Sequence, residues 1–278
     1  EMQRSLVGSE MCIRDRGNSR TVLLKKNILG SFIIRGWYCV VQLLLVPVTL
    51  NCLTQYEYGI WLTINSILLW MDSFDVGLGN GLRNQLTKAI AAKDYTRGRI
   101  QVSTTFTTLC IIILPVIILL LLLVNKADCY SFFNVDYRLV PNLKGILMIT
   151  IAIVGATFVL KIIGNIYLAL QMPAINNLIV AIGQTLSFVI IAVLSFTNAN
   201  TKLIDVAIIY ALSPLLTYLC FYPITFIKYN FLRPSIKLFD RNELKPLFGL
   251  GIKFFFIQIS AMITVSYTHL TLPTNSRV

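Results

Sequence analysis

Charge is scarce in this sequence and histidine almost missing: 13% of its 278 residues are Asp, Glu, Lys or Arg, and His269 is the one histidine. With a single histidine near the end of the chain, neither a Ser-His-Asp nor a Cys-His catalytic arrangement can be built. Of the six cysteines, Cys12 stands in the leader, and Cys39, Cys52, Cys110, Cys129 and Cys220 are scattered without metal-ligand spacing. That pattern supports neither a disulfide framework nor a zinc site; a thiol among apolar neighbours behaves as a small hydrophobe. No glycine-rich stretch ends in Gly-Lys followed by Ser or Thr, which excludes a P-loop. The alternating Gly77, Gly79 and Gly81 do not make a dinucleotide fingerprint, because Leu82 fills the third glycine's place and an apolar run, not a strand, precedes them. No cofactor is implied, and the chain does not read as an enzyme.

Apolar sequence is abundant instead. Hydrophobic residues make up 56% of the chain and the mean hydropathy is +0.74, whereas about a quarter of an average soluble chain is charged. Seven segments approach or exceed the roughly 20 apolar residues that cross about 30 Å of hydrocarbon. They cover residues 28–51, 59–81, 102–125, 145–170, 174–197, 204–227 and 247–265. The longest connection, about 19 residues, is too short for a soluble domain. The expected fold class is therefore all-α, a polytopic membrane protein.

The two ends read differently. EMQRSLVGSEMCIRDR and SYTHLTLPTNSRV resemble translated sequencing-adapter read-through, and residues 1–16 and 266–278 are expected to be non-native. The alternative is a native leader and a native loop. Setting them aside removes four basic and three acidic residues, so the net charge of +12 becomes +11. The remaining basic residues sit between the apolar runs, which argues against nucleic acid and for the positive-inside rule. Arg20, Lys25, Lys26, Arg83, Lys88, Lys93, Arg97, Arg99, Lys228, Arg233, Lys237, Arg241 and Lys245 fall on one side, Lys126, Arg138, Lys144 and Lys202 on the other. Thirteen against four places the N-terminus in the cytoplasm. The expected organisation is a transmembrane bundle over 17–230, then a cytoplasmic linker and the start of a second bundle over 231–265.

The most informative segment runs from Tyr58 to Asn84, YGIWLTINSILLWMDSFDVGLGNGLRN. Its YGIW and FDVGLGNGLRN elements resemble the second transmembrane helix of polysaccharide biosynthesis proteins, the Wzx-type lipid-linked oligosaccharide (O-antigen) flippases. These form a branch of the multidrug/oligosaccharidyl-lipid/polysaccharide (MOP) exporter superfamily, and the resemblance extends over most of residues 20–265. It implies six complete helices forming the N-terminal bundle of a MATE-like fold, plus a truncated seventh, in a protein of twelve or more spans. It also implies a bacterial inner-membrane flippase that turns a lipid diphosphate-linked oligosaccharide to the outer leaflet by alternating access between two bundles. A coupling ion, Na⁺ or H⁺, and polysaccharide-assembly proteins are the implied partners besides the bilayer. A single bundle has nothing to rock against, so the 278-residue product is expected to be inactive in a reconstituted lipid-flipping assay beside the intact protein.

Charged residues inside the runs carry the functional argument, because ionisable groups at bilayer depth ordinarily face a partner or a water-filled path. Arg35 lies a third of the way into the first run, Lys161 within the fourth, and Lys253 at the start of the seventh. Guanidinium and ammonium groups suit a phosphate moved off water, so these three are candidates for a cationic cavity that receives a diphosphate head group. Asp72 and Asp75, three residues apart on one helical face, would repel unless one is protonated or a cation lies between, and they are candidates to couple the ion. The competing reading is a set of buried ion pairs, for example Asp75 with Arg35, holding the bundle in register. For Gly77, Gly79 and Gly81 the readings are close helix packing or a local helix break, against a conformational hinge.

Gln42, Asn65, Asn165, Gln184, Tyr210 and Tyr218 fit interhelical hydrogen bonds, with contact to sugar hydroxyls as the sharper alternative. Pro47, Pro115 and Pro214 can kink spans or free a carbonyl, and the uniformly apolar run around Pro115 should face lipid. Trp37, Trp61 and Trp70 sit toward span ends, where interfacial anchoring is the ordinary role. Two other transport readings remain, a MATE-type drug/cation antiporter and a peptidoglycan-precursor flippase; an acidic cavity favours the first and a basic one an anionic lipid. From another class, a membrane glycosyltransferase or polysaccharide polymerase would call for a large outer loop that these residues do not contain. The coupling role predicts that Asp75→Asn in the intact protein abolishes the ion dependence of export; unchanged export and ion dependence would remove Asp75 from that role.

Overall fold

The computed structural model describes the backbone of residues 2–73, 77–197 and 202–275, and the side chains of 27–68, 77–197, 202–249, 251–261, 263 and 264. Among these residues there are ten α-helices and no strand. They are α1 (Met2–Cys52), α2 (Gln55–Ser73), α3 (Leu78–Ala91), α4 (Tyr95–Lys126), α5 (Cys129–Phe133), α6 (Leu143–Leu160), α7 (Ile162–Ala169), α8 (Pro173–Phe196), α9 (Leu203–Lys228) and α10 (Arg241–Asn275). Among the described residues, six stretches are long and apolar enough to cross a bilayer: Asn27–Cys52, Tyr95–Lys126, Leu143–Ala169, Pro173–Phe196, Leu203–Lys228 and Arg241–Ala261. The chain is a multi-pass membrane protein, and six of the seven expected runs appear as spans of the expected extent.

The second run departs from expectation. It is not one helix over 59–81: α2 ends at Ser73, and Gly77, at φ 77° and ψ −7°, caps the start of α3 in the left-handed conformation. Only glycine takes that conformation without strain. The amphipathic α3 then turns one face, Leu78, Leu82 and Leu86, fully inward.

Helix faces sort by what they meet. Along α4, Ile111, Leu114, Ile118, Leu119, Leu122 and Leu123 are 53–61% exposed and form the lipid face expected around Pro115. Inward positions carry small polar residues whose hydroxyls donate to carbonyls one turn back: Thr105 to Gln101, Thr150 to Ile146, Ser187 to Gly183, Ser213 to Ile209 and Thr225 to Phe221. Each is at most 1% exposed. Small, internally bonded side chains allow close helix contact without stranding a polar atom in hydrocarbon.

Two apolar clusters close the bundle at opposite ends. One joins Leu53 and Trp61 to Leu143, Leu147, Leu203 and Val206; the other joins Leu82, Leu86 and Val102 to Ile163, Ile166, Leu232 and Leu247. At the second end, where the basic connections gather, the linker after α9 is bound to α4. Ser235 and Asp240 donate backbone N–H groups to Ser103 Oγ and Thr104 Oγ1, both at 3.1 Å. Glu243 accepts from Arg97 Nε and Gln101 Nε2, both at 3.0 Å.

The glycines set how closely α10 crosses α3. A Cβ on Gly77 would collide with the Gly251 backbone, and one on Gly81 with the Leu247 carbonyl. Gly249 has open space where its Cβ would point. Gly81→Ala should therefore lower stability by roughly 1–3 kcal/mol through overpacking, read as a lower thermal unfolding midpoint in detergent. Gly77→Ala adds roughly 1–2 kcal/mol of left-handed strain, while Gly249→Ala should be neutral or mildly stabilising.

Candidate functional site

Between the two apolar clusters lies a cavity of about 160 Å³, walled by α1, α2, α6, α8 and α9. Its polar lining comprises Tyr38, Asn65, Thr157, Lys161, Gln184, Tyr210 and Tyr218. Leu68 belongs both to this wall and to one cluster, Ile179 and Tyr218 to the wall and the other, so the cavity adjoins both clusters.

Lys161 occupies a place the sequence did not reveal. It is not in the middle of a regular span but at the junction where α6 ends and α7 begins, with φ −59° and ψ −15°. Gly164 N–H donates to the Lys161 carbonyl at 3.0 Å, a three-residue closure that tightens the helix there. Gly164 itself leaves no room for a Cβ because Asn176 Oδ1 of α8 packs on it. The tightened turn thus abuts α8, and Lys161 is brought to the cavity wall.

The neutral polar groups form a network around Tyr210. Gln42 Nε2 donates to Tyr38 Oη at 2.9 Å, and the Tyr210 hydroxyl lies within hydrogen-bonding reach of the amides of Gln42, Asn65 and Gln184. Trp61 meets Tyr210 edge to face, ring centroids 5.1 Å apart, and is only 4% exposed. This corrects the expectation of an interfacial anchor: Trp61 holds Tyr210 from behind. Trp37 is 53% exposed and donates Nε1–H to Thr185 Oγ1 at 3.0 Å. Pro214, also in the wall, lacks the N–H that would bond the Tyr210 carbonyl, so a backbone acceptor is freed in the same place. Gln42, Asn65, Gln184 and Tyr210 thus converge on one point from α1, α2, α8 and α9. Asn65 Oδ1 and Gln184 Nε2 nevertheless are buried with no hydrogen-bond partner among the described residues. An unmet donor or acceptor of this kind costs about 1–3 kcal/mol, so the wall offers one of each to a polar guest.

The structure does not gather the three candidate cations in one lining. Lys161 is in the cavity; Arg35 is exposed on α1 and lines a separate pocket with Arg83, Asn176 and Asn177; Lys253 is exposed on α10. The side chains of Asp72 and Trp70, and Asp75 altogether, lie outside the described residues, as do the side chains of 1–16 and 266–278. Gly77 and Gly81 lie at the α3–α10 contact, and Gly79 is buried on α3. Tyr38, Thr157 and Arg83 were not singled out from the sequence. The first two carry no charge to mark them in an apolar run, and Arg83 looked like one more basic residue of a connection.

No protein-family profile matches the chain, and no curated protein matches it in sequence. Solved structures with the same fold include a proline-to-alanine mutant of a MATE protein, with a TM-score of 0.70 and 17% identity over 88% of this chain and 55% of that one. They also include a MOP superfamily transporter from Pyrococcus furiosus, with a TM-score of 0.66 and 14% identity over 88% of this chain and 53% of that one. The chain spans about half the length of each. The architecture is that of a MATE-like fold, an all-α polytopic membrane protein in which α10 is laid against α3 and α4.

Proposed function

We propose that this bundle belongs to a transporter of an anionic, lipid diphosphate-linked oligosaccharide, turned from the cytoplasmic to the outer leaflet for surface polysaccharide synthesis. The observation that carries the reading is the cavity wall. It holds one lysine, a ring of tyrosine, asparagine and glutamine groups, and no carboxylate among its described residues. A cation fixed in a water-poor space attracts a phosphate far more strongly than in bulk water, and neutral donors and acceptors suit sugar hydroxyls. The resemblance of residues 58–84 to Wzx-type flippases points the same way. Alternating access then opens the cavity to each side in turn by rocking this bundle against a second one. Asp72 and Asp75 are the candidates to bind the Na⁺ or H⁺ that couples the motion. The N-terminus faces the cytoplasm of a bacterium, with polysaccharide-assembly proteins as partners.

A second reading is export of organic cations by a MATE-type antiporter, and the fold likeness supports it as well. The MOP superfamily protein from Pyrococcus furiosus is described by a binding pocket of reversed polarity that suggests a different function. Pocket polarity is likewise the property that separates the two readings here. In the transporter that carries this chain, Lys161→Gln should lower export of the lipid-linked glycan about tenfold or more, a loss of about 1.4 kcal/mol or greater, and Lys161→Arg should retain most of it. Normal glycan export by Lys161→Gln, together with efflux of a quaternary ammonium dye, would favour the antiporter instead.

A further inference from the structure

We infer that a second anion site, separate from the Lys161 cavity, lies at the end of the bundle that carries the basic connections. Arg35 of α1 and Arg83 of α3 there take up a phosphate group from the membrane surface. The two arginines line one pocket with Ser31, Asn176 and Asn177, and no carboxylate is among its described residues. Neither arginine makes an ion pair in the described structure.

Two features make this more than a pair of surface charges. First, Arg35 stands eight residues inside a span that starts at Asn27, about 12 Å along the helix axis at 1.5 Å per residue. A guanidinium at that depth is costly unless an opposite charge or water meets it, and bringing it beside Arg83 adds like-charge repulsion. Both costs fall when a phosphate oxyanion sits between them, because each planar guanidinium can donate two parallel hydrogen bonds to it.

Second, the rest of the pocket supplies donors and positive potential rather than acceptor charge. Asn177 Nδ2 donates to Ser31 Oγ at 3.2 Å, which ties α8 to α1 beside Arg35 and leaves the Ser31 hydroxyl its own proton. Asn176 and Asn177 are the fourth and fifth residues of α8, whose 24 residues begin at Pro173, so the positive end of its dipole lies close to the same pocket. Thr87 Oγ1 of α3 donates to the Ala169 carbonyl at 3.2 Å and Asn27 Nδ2 to the Gln171 carbonyl at 3.4 Å, which fixes α3, α1 and the α7–α8 turn around the pocket.

The chemistry recognised is a phosphate or diphosphate monoanion or dianion, from a lipid head group or from free solution. The lipid source rests on the transport reading above; the anion site does not. On that reading the site is a cytoplasmic loading station, where a lipid diphosphate is held before it reaches Lys161.

The test uses the purified chain and two probes: polyprenyl diphosphate in phosphatidylcholine nanodiscs, with uncharged polyprenol as reference, and inorganic pyrophosphate in detergent. Retention of the lipid is read by native mass spectrometry and pyrophosphate binding by calorimetry. Polyprenyl diphosphate should be retained over polyprenol. Arg35→Gln and Arg83→Gln should each weaken retention about threefold and the double variant about tenfold or more, while Arg→Lys at both positions, which keeps the charge but not the paired donors, should recover only part of it. Both side chains are exposed, and unchanged thermal unfolding of the variants will show that the fold is intact. If pyrophosphate alone binds and depends on the same arginines, the anion site stands and the lipid source falls. Wild-type affinity in the double variant, loss of binding only on Lys161→Gln, or no binding of either probe would each overturn the site. The transport reading fails separately, through normal glycan export by Lys161→Gln.

Discussion

Hydrocarbon offers no partner to a polar atom, and the order of this bundle follows from that single constraint. Leucine and isoleucine take the outside, as along α4, and serine and threonine take the inside. A buried hydroxyl is admissible because it bonds to its own helix; Thr49 to Leu45, Thr108 to Thr104 and Thr217 to Ser213 repeat the device in α1, α4 and α9. Asparagine, glutamine, tyrosine and lysine are too long or too demanding to be met this way. Tyr38, Asn65, Lys161, Gln184, Tyr210 and Tyr218 collect where five helices leave space between two apolar clusters, so the constraint is relaxed in that cavity.

Breaks in helices follow the same logic. Non-helical backbone at membrane depth is tolerated only where protein or a water-lined space receives it, and among the described residues two such places stand out. The Lys161 junction abuts α8 at Gly164 and Asn176 and delivers its lysine to the cavity wall. The Gly77 break lies against Gly251 of α10, where absent side chains let two backbones approach. The first break positions a charge, and the second joins the bundle to the helix that follows it. With the Arg97–Glu243 pair and the amides docked on Ser103 and Thr104, that second contact makes α10 and its linker an extension of α3 and α4. The ion pair itself adds little, because Arg97 is 54% exposed; the glycine contact and the buried Leu232 and Leu247 matter more.

The spans were legible in the sequence because hydropathy over some twenty residues reports a transfer free energy directly, whatever the helices do next. The lipid face around Pro115 was legible for the same reason: a segment apolar on every side needs no phase to be placed. What failed was rotation and register. Trp61 looked interfacial because its position along α2 is shallow, yet burial depends on which way the helix turns, and it turns Trp61 onto Tyr210. Arg35 and Lys161 looked like members of one lining because depth was the only coordinate the sequence supplied. The α1–α8 and α6–α9 contacts place them in different pockets. The Lys161 junction left no trace, since neither proline nor glycine stands at the break and Gly164 comes three residues later.

Separation of the cations has a consequence for transport on the proposed reading. Three positive groups around one diphosphate would bind it tightly, and a carrier that binds too tightly does not release; only affinity that differs between states moves cargo. Arg35 and Arg83 at one end and Lys161 between the clusters divide that attraction into two weaker stations. The hydroxyl and amide groups around Tyr210 take over part of it through contacts that a sugar, and not a bare phosphate, can make. Charge at the mouth then selects for an anion and the cavity wall for what the anion carries, which is how a bundle with so few charges could discriminate a glycolipid from the phospholipids that surround it.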